Sequence, residues 1–365
     1  MSIENRVKHW IRSDIRAMHA YHVPDPSGYI KLDAMENPYT WPAEMVEEWT
    51  QLLRDVSMNR YPDPHALQLK SRLREAMQIP EGQDLILGNG SDELIQMIAF
   101  AMRSPGRAIM APAPSFIMYQ MIATFAGMDY EAVPLREDFS LDMPAMLARI
   151  QEYQPAVIFL AYPNNPTGNL FKESEVVEIL QAADGLVVVD EAYHAFAGSS
   201  FMDRLGQYEN LLVMRTVSKM GLAGLRLGLL AGPHPWLAEF DKVRLPYNIN
   251  VLTQASADFA LKHRDVLDRQ TAELVEHRSW LMQALKNLDG IIPYPSDANF
   301  ILFKTATGKA DLIFEGLKER KVLIKNLHKA GGLLTDSLRV TVGSREENSA
   351  FIDALIQTLA WTMHQ

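Results

Sequence analysis

Short apolar runs separated by stretches of helical spacing constrain this chain most: Asp84 to Leu87, Ala108 to Ala111, Val157 to Ala161, Leu186 to Val189 and Leu211 to Arg215. A strand buried on both faces reads as a continuous apolar run. Alternation of such runs with helices therefore predicts an α/β unit whose mostly parallel sheet is covered on both sides. Its crossovers should be right-handed. After Asn248 to Asn250 the character changes. A long helical stretch is expected from about Thr253 to Leu288, ending at Gly290. Beyond it, Ala298 to Phe303, Ala310 to Lys318, Val322 to Ile324, Ser337 to Val342 and Arg345 to Thr358 alternate strand and helix. The expected organisation is an N-terminal helix and arm (1–29), a large α/β domain (30–250) and a small α+β domain (251–365).

Polar segments at the ends of three of these runs carry the chemistry. Tyr162-Pro163-Asn164-Asn165-Pro166-Thr167-Gly168 comes after Ala161, Asp190-Glu191-Ala192-Tyr193 after Val189, and Thr216-Val217-Ser218-Lys219 after Arg215. Each alone is ordinary: a turn, a helix cap, a serine beside a lysine. Their order is not ordinary, because open α/β sheets bind ligands at the carboxyl ends of their strands. An amide, an acid with a tyrosine three residues on, and a lysine are what a protein needs to hold and use pyridoxal phosphate. Asp190, at the end of a buried strand, would keep the ring nitrogen protonated. Asn165 and Tyr193 would donate to the phenolic oxygen. Lys219 would bond the cofactor's aldehyde, give way to the substrate's amine, and then carry a proton at the substrate carbon.

Two stretches suit the cofactor's phosphate. Gly88-Asn89-Gly90-Ser91-Asp92-Glu93-Leu94 lies between a strand and a helix, and a glycine turn opening onto a helix gathers main-chain amides at the positive end of the dipole. A nicotinamide site fits less well, since Glu93 stands where the third glycine of that fingerprint belongs. Ser218 and Arg226 form the second stretch, where the guanidinium can grip phosphate oxygens with two prongs. Gly308-Lys309-Ala310 lacks the remainder of a P-loop.

These segments resemble the fold-type I pyridoxal-phosphate aminotransferases, in particular the branch that acts on histidinol phosphate. The similarity extends from Gly28-Tyr29-Ile30-Lys31-Leu32-Asp33 and Glu36-Asn37-Pro38-Tyr39, through Asn59-Arg60-Tyr61-Pro62-Asp63-Pro64, to Ala298-Asn299-Phe300 and Leu338-Arg339-Val340-Thr341-Val342-Gly343. The resemblance implies an aspartate aminotransferase-like α/β fold, with a seven-stranded, mostly parallel sheet flanked by helices and a small α+β C-terminal domain. It implies catalytic roles for Lys219, Asp190 and Tyr193. Ser91, Asp92, Ser218 and Arg226 would hold the phosphate, and Phe116 would stack on the pyridine ring. Tyr61 would reach the phosphate of the neighbouring subunit, which implies a homodimer with shared sites. Arg339 would clamp the substrate's α-carboxylate, while Tyr21, Asn37 and Lys325 fall where the family recognises the far end of the substrate; since histidinol phosphate has no carboxylate, Arg339 and Lys325 must serve either a carboxylate or a phosphate.

The implied reaction is exchange of an amino group between L-histidinol phosphate and 2-oxoglutarate, giving imidazole acetol phosphate and glutamate. Aromatic amino acid transamination and phosphothreonine decarboxylation are alternatives on the same scaffold, and a non-enzymatic regulator that binds the cofactor is a third. The chain departs from the family pattern at three places. Lys325 stands for an arginine, the Lys219 to Arg226 interval is one residue shorter than in many members, and Met35 replaces a common asparagine. A lysine keeps the charge of an arginine but not its planar fork.

Composition narrows the remaining classes. A chain of 365 residues, 48% of them hydrophobic, can bury a large core. A net charge of −10 with no long basic run argues against nucleic acid as a partner. The absence of cysteine removes disulfides, thiolate ligands and a cysteine nucleophile, and it fits the cytoplasm. Met1 to Arg12 lacks a secretory apolar stretch, and no run approaches the roughly 18 apolar residues of a membrane helix. The ten histidines are scattered without a zinc framework, so no metal site is expected.

Overall fold

The computed structural model describes residues 1–20 and 23–362. In chain order, β1 (Ile30–Lys31) precedes β2 (Asp84–Asn89), β3 (Ala108–Ala113), β4 (Asp129–Pro134), β5 (Val157–Ala161), β6 (Leu186–Asp190), β7 (Leu211–Thr216) and β8 (Leu227–Gly232). Strands β2 to β8 make one seven-stranded sheet in the order β2-β8-β7-β6-β5-β3-β4. Only β8 runs against its neighbours β2 and β7; the remaining pairs are parallel. The expected mostly parallel seven-stranded sheet is therefore present.

The central strands show why their sequences carry no polar alternation. Ile158, Leu160, Val187, Val189, Leu211 and Val213 face one apolar cluster. Val157, Phe159, Leu186, Val188, Leu212 and Met214 face another. Side chains alternate across a strand, and here both faces are covered. Each such side chain contributes about 1.5–3 kcal/mol on burial. A Val188→Asp substitution would place a carboxylate in the second cluster, where Val188 is fully buried.

Further along, β9 (Ile291–Pro293), β10 (Phe300–Thr305), β11 (Val322–Leu323), β12 (Lys325–Asn326) and β13 (Ser337–Thr341) complete the strands. Four of these form an antiparallel sheet in the order β12-β13-β10-β9, and β11 pairs in parallel with β1. The N-terminal segment is thereby tied to the C-terminal unit.

Two features differ from the sequence expectation. The stretch from Thr253 to Leu288 is two helices, Val251–Lys262 and Arg264–Lys286, which break at His263. The first starts on an Asn250 side-chain cap to Thr253 and packs Ala257, Phe259 and Ala260 into the large cluster. The second still packs Leu267 into the large cluster and then sends Leu274, Leu281 and Leu285 into the C-terminal one, so it runs from one core to the other. Strand β4 was also unforeseen. It sits at the sheet edge with most of its residues outside the core, so no continuous apolar run marks it. No helix among the described residues is long and apolar enough to cross a membrane.

Candidate active site

One edge of the large sheet collects the motif residues. The carboxyl ends of β2, β5, β6 and β7 lead to Ser91, Asn165, Asp190 and Lys219, and the reversed β8 begins on the same edge just after Arg226. Ser91, Asp92, Phe116, Asn165, Asp190, Tyr193, Ser218, Lys219 and Arg226 all line a single cavity there, joined by Met35 and Thr216.

At its acidic end, Asp190 is the last residue of β6 and is buried. Its Oδ2 accepts from the Tyr119 hydroxyl at 2.7 Å and its Oδ1 from the Ala192 amide at 3.2 Å. Burial pushes its carboxyl up to about 7, opposed by those two hydrogen bonds. The adjacent Glu191 points the other way, as alternation requires. It is fully buried and accepts from Arg215, Ser200 and the Phe201 amide. Neighbouring acids thus have different duties: Asp190 faces the cavity and Glu191 anchors the turn.

At the basic end, Ser218–Met220 forms a single 3-10 turn after β7 and presents Lys219. The amine donates to the Ala34 carbonyl at 3.1 Å. Burial lowers its pKa to about 8, with the Arg339 charge adding to the effect. Asn165 donates to the Tyr193 hydroxyl at 3.1 Å, while its own carbonyl accepts from Arg339 at 2.5 Å. Its neighbour Asn164 is structural: it bonds Ser115, Pro114 and Thr167 and shapes the turn.

The glycine turn is tight by necessity. Gly90 has φ 78°, and a Cβ on it would lie 2.6 Å from Arg226 Nη2. A Cβ on Gly228 would lie 2.6 Å from the Gly90 backbone. Only glycine at both places lets the helix start at Ser91 sit against β8 beside Arg226. Asp92 pairs with Arg226 at 3.7 Å, and burial raises its carboxyl while Arg226 opposes that shift. An acid side chain repels a phosphate, so what Asp92 can offer one is its main-chain amide at the helix start.

The residues expected on the substrate side, and Tyr61, separate. Arg339, on β13, is buried, reaches Asn165 and the Asp33 carbonyl, and lies 5.1 Å over the Phe300 ring. Lys325 is its register partner on β12, so the two cations project from the same face. Burial and the Arg339 charge lower the Lys325 pKa, with Asp33 opposing. Asn37 lies on an adjoining cavity with Gly221 and Glu347, and it bonds Gln270 and the Met220 carbonyl. Tyr61 is 80% exposed and stacks on Tyr247 with centroids 4.4 Å apart. It does not line the cavity of its own chain. Tyr21 lies outside the described residues.

Sequence reasoning missed Tyr119 and the strap Asp33–Met35. A tyrosine three residues after Phe116 at a helix start was the only signal for the first. Main-chain acceptors such as Ala34 leave no signal at all.

The family model for aminotransferase class I and II matches residues 27–355. The chain belongs to this family of aminotransferases. It is 58% identical over 352 residues to histidinol-phosphate aminotransferase 2 of Nitrosococcus oceani, covering 96% of this chain and 98% of that one. Among solved structures, it resembles histidinol-phosphate aminotransferase from Sinorhizobium meliloti in complex with pyridoxal-5'-phosphate. That match has a TM-score of 0.86 and 22% identity, covering 97% of this chain and 98% of the other. It also resembles L-threonine-O-3-phosphate decarboxylase from Porphyromonas gingivalis, with a TM-score of 0.76 and 23% identity over 90% and 99% of the two chains. At such identities the solved structures speak for the fold alone.

An aminotransferase of this family works with pyridoxal 5'-phosphate, and the donor set suits that group. Among the residues that share the cavity, the glycine turn and Arg226 would suit a dianion, Asp190 a protonated ring nitrogen, Asn165 and Tyr193 a phenolic oxygen, and Lys219 an aldehyde. Phe116 supplies a flat apolar face to the same cavity.

Proposed function

We propose that this aminotransferase exchanges an amino group between L-histidinol phosphate and 2-oxoglutarate, giving imidazole acetol phosphate and glutamate, a step of histidine biosynthesis. The observation that carries the chemistry is the placement of Lys219 and Asp190 in one cavity at the carboxyl edge of the sheet. The choice of substrate is supported by the name and near-full-length identity of the Nitrosococcus relative.

Bound pyridoxal phosphate supplies an electron sink for the bond broken at the substrate carbon. The chain's own residues do the rest. Lys219 enters as a neutral amine, which its burial favours, and afterwards moves a proton at the substrate carbon. Asp190 holds the proton of the ring nitrogen. Asn165 and Tyr193 would hold the phenolic oxygen, Phe116 would offer its flat face to the ring, and Ser91, Ser218, Arg226 and the Asp92 amide would receive the phosphate.

Histidinol phosphate has no carboxylate, whereas glutamate has two. Arg339 and Lys325, side by side on β13 and β12, give one cationic face able to take either anion. Asn37 holds the loop after Lys219 to the helix Arg264–Lys286, so its part in substrate recognition runs through that loop. The enzyme works as a homodimer in the cytoplasm, with Tyr61 completing the phosphate site of the other subunit; its exposure on this chain agrees with that role.

The test is a direct comparison of substrates. Glutamate-dependent formation of histidinol phosphate should exceed phenylalanine transamination, and carbon dioxide release from phosphothreonine should be undetectable. Faster turnover of phenylalanine, or release of carbon dioxide, refutes the assignment.

A further inference from the structure

The Tyr119 hydroxyl is buried in the apolar cluster that also contains Phe159, Ile122 and Val188. A hydroxyl in such a place is costly unless bonded, and its partner is Asp190 Oδ2 at 2.7 Å. The strand pattern brings the two together. Phe159 on β5 and Asp190 on β6 project to the same face of the sheet, and Tyr119 in the first turn of the helix Met118–Ala126 comes down onto that face. Its ring is stacked on Phe159 with centroids 4.8 Å apart and 11° between planes, and it meets Phe116 edge-on at 5.6 Å. The hydroxyl thus has little freedom to turn away. The other carboxylate oxygen is fixed by the Ala192 amide. Both oxygens of Asp190 are held, and the carboxylate keeps one orientation toward the cavity.

The direction of the proton also matters. Burial and the neighbouring Asp190 charge push the Tyr119 hydroxyl well above its ordinary pKa. In this pair the proton stays on the phenol, and the phenol acts as donor. A donated hydrogen bond favours the charged form of a carboxyl against the burial that opposes it.

We propose that Tyr119 is a positioning residue for transamination: its hydroxyl fixes the Asp190 carboxylate and keeps it anionic, so that Asp190 can retain the proton of the cofactor's ring nitrogen. The inference rests on the role given to Asp190 under the proposed function, and the experiment separates the two.

Apoenzymes of the parent, Tyr119→Phe, Asp190→Asn and the double variant would be titrated with pyridoxal 5'-phosphate and with its 1-deaza analogue, in which a CH group replaces the ring nitrogen. Phenylalanine keeps every ring contact, and circular dichroism confirms that each variant is folded. Tyr119→Phe should weaken pyridoxal phosphate binding about tenfold, the scale of a hydrogen bond to a charged group, and leave the analogue unaffected. In the Asp190→Asn background the same change should add nothing. Equal losses for both compounds, or full additivity in the double variant, would overturn the role of Tyr119 and leave a purely structural contact. If Asp190→Asn itself failed to distinguish the two compounds, the assignment of Asp190 would fall first.

Discussion

The Lys219 amine donates to the Ala34 carbonyl at 3.1 Å, while the preceding carbonyl, of Asp33, accepts from Arg339 at 3.1 Å. Lys219 and Arg339 are thus both tied to one strap. Met35 continues it with φ 53°, a left-handed conformation that costs a residue with a side chain about 1–2 kcal/mol. Two bonds offset that strain. The Met35 amide donates to Thr341 Oγ1 at 2.9 Å, and its carbonyl accepts from Asn299 at 3.0 Å.

Because burial holds the Lys219 amine near a pKa of about 8, it should be mostly neutral above that pH. Only the neutral amine attacks an aldehyde. Capture of pyridoxal phosphate by the apoenzyme, monitored by absorbance, should accelerate as pH rises toward about 8 and then level off. A rate still climbing toward 10.5, the ordinary lysine value, would contradict this. The folded state also binds fewer protons than the unfolded between about 8 and 10.5, so this group makes stability rise with pH in that window.

Asp190 has the opposite sign. Its folded pKa of about 7 lies above the ordinary 3.8, so the folded apoenzyme binds more protons and this group lowers stability as pH rises from about 3.8 to 7. Asp190→Asn should therefore melt higher than the parent above pH 7 as apoenzyme, with the gap closing in acid, although it loses cofactor affinity. A lower melting temperature for the variant at neutral pH would refute the burial cost.

Arg215 and Glu191 form a buried ion pair at 2.8 Å behind the Asp190 turn. Arg215→Met removes the cation and leaves the acid uncompensated, which should cost about 3–5 kcal/mol in urea denaturation. Replacing both partners with apolar residues should recover much of the loss. A single-variant cost below about 1 kcal/mol, the scale of an exposed pair, would show that the pair is not behaving as buried.

Shared sites can be tested by mixing. Tyr61→Ala and Lys219→Ala carry their defects on different chains, so a mixed dimer has one site with both residues intact and one with neither. Co-refolding equal amounts of the two variants should restore about a quarter of parental activity if dimers form at random. No recovery, with mixed dimers verified by mass, would place Tyr61 outside the neighbouring site.

Much of this site was legible because its chemistry is written in side chains at strand ends. Asn165, Asp190 and Lys219 each come after a run whose apolar character on both faces marked it as a central strand. The edge strand β4 escaped because an edge needs no such run. The break at His263 escaped because apolar residues at helical spacing continue across it, with Leu261 and Leu267 on either side packing in the same cluster. Ala34 contributes only its backbone, and Tyr119 looks in the sequence like any aromatic of a core helix. Its role depends on Asp190, 71 positions away.

The reversed strand β8 has a consequence for assembly. By lying between β2 and β7, it seats the earliest large-sheet strand next to the last one made, so the Gly90 turn meets Arg226 only once that whole stretch has been made. Arg339 emerges later still, on β13. A growing polypeptide would thus bring together the place for the vitamin's phosphate before the strap beside Lys219 gains its anchors Arg339 and Thr341.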